Sequence, residues 1–95
     1  MDEAFLTFVR VALASETVMD FPTMREVSRG TSHEYEGNIR KEFETLLREQ
    51  NISCRDWFNL TAVDFPDHDQ MYAFLRELYE YIYNGGEEPS TLTDL

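Results

Sequence analysis

Cysteine, histidine and basic residues are scarce in this chain, and each shortage removes a class of chemistry. Its 95 residues include one cysteine, Cys54, and two histidines, His33 and His68. A lone cysteine cannot close an intramolecular disulfide or supply the cysteine pairs of a structural zinc site. It fits a reducing compartment, and a cytoplasmic setting is expected. A helix N-terminus could lower the Cys54 pKa, but the adjacent Arg55 cannot serve as a base. His33, in Thr31-Ser32-His33-Glu34, is expected to face water at a helix start. His68 lies between Asp67 and Asp69 and is read as an exposed first-turn residue. No catalytic residue is assigned, and no enzyme is expected.

Other absences narrow the field further. Gly85-Gly86 follows an expected helix instead of opening one, so no glycine-rich loop is set to cradle a phosphate. The acids Asp64, Asp67 and Asp69 invite a calcium reading that fails on spacing. Counting from Asp64, Asp69 stands where the loop needs glycine and Leu75 where it needs a bidentate glutamate. No metal or cofactor is expected. Eight Lys and Arg oppose 19 Asp and Glu, for a net charge of −11. Such a surface repels nucleic-acid phosphates and anionic membranes, so neither is expected as a direct partner. The longest apolar stretch, Ala4 to Ala14, follows Asp2 and Glu3 and is broken by Arg10. It makes a poor leader peptide and is too short to span a bilayer; a buried helix is the expectation. The sequons at Asn51 and Asn59 are read as chance.

What remains is a folded, helical chain. A hydrophobic fraction of 42% is enough for one modest core in one domain. Four pairs carry capping-box spacing or a close variant: Thr23–Glu26, Thr31–Glu34, Ser53–Asp56 and Asp67–Gln70. With the apolar periodicity they predict helices over about Glu3 to Val18, Met24 to Arg29, Ser32 to Gln50, Cys54 to Thr61 and His68 to Tyr83. On the third, Glu36–Arg40 and Glu44–Arg48 have the favourable i, i+4 order. The fold class is all-α, a small bundle of four to five short helices spanning 1–84, followed by a flexible acidic tail over 85–95. The alternative is α+β with a short strand near 57–65, because Ala62 to Phe65 also reads as extended. Asp20-Phe21-Pro22-Thr23 and Asp64-Phe65-Pro66-Asp67 echo each other. Both are read as a phenylalanine packed just before a capped helix.

Charge is unevenly spread. From Asp56 onward there are nine acidic side chains and one base, Arg76. Aromatics are interleaved with these acids. The expected working surface is protein-binding and comprises Asp56, Asp64, Asp67, Asp69, Tyr72, Glu77, Glu80 and Tyr83. Carboxylates would steer a basic partner, and outward tyrosines would add contact area. In character the chain resembles bacterial toxin-immunity proteins and phage-encoded DNA-mimic or anti-CRISPR inhibitors, which are also small, acidic and without catalytic motifs. No family motif maps onto these residues. The resemblance implies an inhibitor of a basic protein such as a nuclease toxin or a nucleic-acid-binding enzyme. The alternative is a small chaperone or adaptor that forms a homodimer, or grips a partner helix, through its apolar N-terminal helix.

Overall fold

The computed structural model describes residues 3–18, 20–30 and 32–89. Five helices appear among them: α1 Glu3–Ala12, α2 Phe21–Arg29, α3 His33–Glu49, α4 Cys54–Thr61 and α5 His68–Tyr83. There is no strand among the described residues, so the bundle is all-α. The extended alternative near 57–65 gives way to α4 and a coil. There the Thr61 hydroxyl donates to the Trp57 carbonyl (2.8 Å) and accepts the Val63 N–H (3.1 Å). The amide that a strand would have offered to a neighbour is thus satisfied locally.

The caps fix α4 and α5 at the bounds expected from sequence. Ser53 Oγ accepts the Asp56 N–H (3.1 Å), and an Asp67 carboxylate oxygen accepts the Gln70 N–H (2.8 Å). Ser32 caps α3 by accepting the Tyr35 N–H (3.1 Å). The cap expected of Thr31 falls outside the described residues. Helix α2 starts earlier than Met24. Asp20, not Thr23, is its N-cap, and Pro22 sits in the first turn, where its missing N–H breaks no helical bond. The two Asp-Phe-Pro phrases therefore differ. Phe21 lies inside its helix, whereas Phe65 precedes the Asp67 cap and packs on Phe74 at 5.5 Å.

Helix α1 ends at Ala12 instead of Val18. The Ser15 N–H leaves the helical ladder to donate to the Thr61 carbonyl at the end of α4 (2.8 Å), and the Thr17 hydroxyl takes the Val11 carbonyl (2.9 Å). These bonds turn the chain toward α2. The turn after α2 needs Gly30. Its φ is +58°, and a Cβ there would collide with the Tyr35 ring.

The core lies between α1, α2, α3 and α5, with α4 packed against α1. Phe43 of α3 is its aromatic hub, with Phe5 at 5.8 Å, Tyr79 at 5.6 Å and Tyr83 at 6.4 Å. Phe5, Phe8, Val9, Ala12 and Leu13 are all buried in this core. These five side chains of the apolar N-terminal stretch are therefore covered by the molecule's own interior, while Leu6 is partly exposed and Val11 is 55% exposed. After α5 the Gly86 N–H returns to the Glu80 carbonyl (2.9 Å), and Pro89 is buried. Of the expected tail, residues 90–95 lie outside the described residues.

Candidate protein-binding surface

Helix α5 carries the tyrosines that the sequence pattern placed outward, and two of those placements need correction. Tyr72 is only 1% exposed. Its hydroxyl donates to the Ile52 carbonyl (3.1 Å) and accepts the Ile52 N–H (3.3 Å). It ties α5 to the connection between α3 and α4. His68 stacks on the same ring at 4.6 Å, and its Nε2 pairs with Gln50 Oε1 at 3.1 Å. Burial pushes the Tyr72 phenol above its ordinary pKa. Tyr83 is half-buried, packed on Phe43 and Tyr79. Its hydroxyl is buried with no well-formed hydrogen bond among the described residues. Burial raises that pKa strongly; the nearby Ser28 hydroxyl pulls the other way but is itself donated to the Arg25 carbonyl (2.7 Å).

Arginines from the first half cover this end of α5. Arg40 Nε donates to the Tyr79 hydroxyl (3.1 Å), and its guanidinium lies 5.4 Å from the Tyr83 ring centre. The Tyr79 contact raises the Arg40 pKa further. Arg40 was expected to pair along α3 with Glu36; it reaches across to α5 instead. Arg25 lies 4.0 Å over the Tyr81 ring while its Nη2 donates to the Tyr81 carbonyl (3.0 Å). Sequence reasoning missed these two arginines. The available signal was Tyr79 and Tyr83 at i, i+4, which share a helix face.

The carboxylates do reach water. Asp56, Asp64, Asp67 and Asp69 are exposed. They belong to the first turns of α4 and α5 and the link between them. Cys54, the first residue of α4, feels the Asp67 and Asp64 charges. Its thiol is half-buried, and burial, aided by those carboxylates, raises its pKa. This reverses the expectation of a lowered value from the helix N-terminus, because desolvation and like charge outweigh the dipole. Cys54 thus places Asp64 and Asp67 near the start of α4, where Asp56 also lies; with Asp69, two residues beyond Asp67, these exposed acids make up an acidic corner.

Glu77 and Glu80 lie elsewhere. From Asp69 to Glu80 the helix rises about 16 Å, at about 1.5 Å per residue. Glu80 Oε2 accepts the Asn84 side-chain amide (2.9 Å). With Arg76, Glu87 and Glu88, the pair lines an open groove of about 540 Å³. The expected surface therefore divides into an acidic corner and an acidic groove. Glu87 and Glu88, which the sequence assigned to a loose tail, line the groove.

Among the described residues, no group of three or more His, Cys, Asp or Glu side chains is arranged to hold a metal ion, and no helix is long and apolar enough to cross a membrane. Compared with known proteins, the chain matches no protein-family model, no curated protein and no solved structure.

Proposed function

We propose that this protein is an acidic inhibitor or immunity-type protein that blocks a basic partner, such as a nuclease toxin or a nucleic-acid-binding enzyme. The observation that carries this reading is the acidic corner. Asp56, Asp67 and Asp69 stand in water at the starts of α4 and α5, and Asp64 in the link between them, while the arginines Arg25 and Arg40 are turned onto tyrosines at the other end of α5. A corner fixed on helix ends holds its charges in a set pattern. An enzyme that grips phosphates presents Lys and Arg in such a pattern, and carboxylates can occupy the same positions. Electrostatic complementarity of this kind speeds encounter and selects the partner.

The test is affinity capture from nuclease-treated host extract with two baits, the native protein and an Asp64→Lys/Asp69→Lys variant. Both reversed residues are exposed and neither is a cap, so the fold is expected to persist. The native bait should retain a basic protein that the variant loses. Equal retention by both baits would exclude the corner as the binding site.

A further inference from the structure

A pocket of about 230 Å³ lies where α3 hands over to α4, lined by Glu42, Thr45, Leu46 and Glu49 of α3 and by Asn51 and Ile52 of the link. The four α3 residues follow i, i+3, i+4 and i+7 and so share one helix face. The link is pinned from α5. The Tyr72 hydroxyl bonds both backbone groups of Ile52, and His68 Nε2 pairs with Gln50 Oε1. Gln50 is the left-handed C-cap of α3 (φ +49°), a position that glycine usually takes. A glycine there would have no side chain to reach His68.

The lining has acceptors and apolar carbon, and no cation. Leu46 is buried and Ile52 half-buried. The Thr45 hydroxyl is donated to the Lys41 carbonyl (3.0 Å), so it offers no proton to the carboxylates. Neither Lys41 nor Arg48 lines the pocket; the acidic groove on α5, by contrast, includes Arg76. Glu49 is the last residue of α3, where the helix dipole disfavours a carboxylate. It forms no side-chain hydrogen bond or ion pair among the described residues. A carboxylate held against the local preference, at the rim of a formed pocket, matches a ligand that brings its own positive charge. The pocket is smaller than the roughly 300–1,000 Å³ of a small-molecule site. It suits one long side chain with an apolar stem and a cationic tip.

We infer that this pocket receives a single arginine side chain of the basic partner, its methylenes against Leu46 and Ile52 and its guanidinium on the Glu49 carboxylate. Arginine is favoured over lysine because a carboxylate takes the guanidinium fork through two parallel bonds. The inference rests on the partner being basic, and adds a contact that uses none of the corner's residues. The corner steers the encounter, and the pocket selects which residue of the partner docks.

The test titrates Nα-acetyl-arginine methylamide into the ¹⁵N-labelled protein at low salt, with the citrulline analogue as the uncharged isostere. The arginine probe should shift amides of residues 42–52 saturably, and the citrulline probe should not. Glu49→Gln should weaken binding about threefold or more, whereas Glu44→Gln, the same charge change on another face of α3, should leave it unchanged. Both residues are exposed, so both variants should melt like the native protein. Equal weakening by the two variants would mean diffuse attraction to a negative surface and would overturn the pocket. Shifts confined to residues 56–69, or no shifts with the arginine probe, would overturn it as well. The probe needs no partner, so a failed titration counts against the pocket and a failed affinity capture against the basic partner.

Discussion

The two ends of α5 both mix acids with tyrosine, but the C-terminal end is mostly covered and the N-terminal end shows its acids to water. At its C-terminal end, Tyr79, Tyr81 and Tyr83 are packed on Phe43 and Phe21 and roofed by Arg40 and Arg25. At its N-terminal end, Asp67 and Asp69 face water with Asp64, and Tyr72 is turned inward to Ile52. Acid interleaved with aromatics is thus not one surface. A phenol can bury its ring and give its hydroxyl to another element, so an aromatic residue among acids follows the packing. A carboxylate without a partner stays in water.

The strongest test of the covered end is Phe43→Ala. It removes the ring shared by Phe5, Tyr79 and Tyr83 and should cost about 3–5 kcal/mol in urea denaturation. A cost below about 1 kcal/mol would mean that α3 does not hold the tyrosines.

The buried phenols sharpen the contrast. Tyr72→Phe strips both Ile52 backbone groups of their partner and should cost about 1–3 kcal/mol. Tyr83→Phe removes a buried hydroxyl that lacks a well-formed bond, so it should be neutral or stabilising by up to about 1 kcal/mol. Both phenols have pKa values raised above 10 by burial. The folded state therefore holds these protons more tightly than the unfolded chain does. Their contribution is fully present below about pH 10 and declines as pH rises beyond it. Urea midpoints on either side of pH 10 should show that decline, and each Phe variant should show less of it.

The smallest effect belongs to the acidic corner itself. Asp67→Ala removes the α5 cap and should cost about 1 kcal/mol, whereas Asp67→Asn keeps an acceptor and should cost a few tenths. Thermal melts of the two variants separate the cap from the charge. If both cost the same, Asp67 acts through its charge and not through the Gln70 N–H.

How much of this was legible in the sequence depended on where each residue's partner lay. Helices α4 and α5 were readable because Ser53 and Asp67 bond amides three residues ahead. The end of α1 was not, since Ser15 bonds Thr61 on a separate helix. The start of α2 was misplaced at Thr23, because Asp20 is the cap and Pro22 sits inside the first turn instead of before it. The tyrosines were misread because α5 is packed by both α2 and α3, and Tyr72 also meets the chain at Ile52, so its buried arc is wider than the Met71–Leu75–Leu78–Ile82 stripe. The exposure of Asp56, Asp64, Asp67 and Asp69 was legible from charge alone. Their separation from Glu77 and Glu80 follows from the α5 bounds and the helical rise, and was legible as well.

The most direct measurement is the association rate constant of the captured basic partner with native protein and with Asp64→Lys/Asp69→Lys, by stopped flow at low and high salt. The native rate should exceed the variant rate about tenfold or more at low salt, and the two should converge as salt screens the charges. Equal rates at low salt would contradict an acidic corner that steers a basic partner.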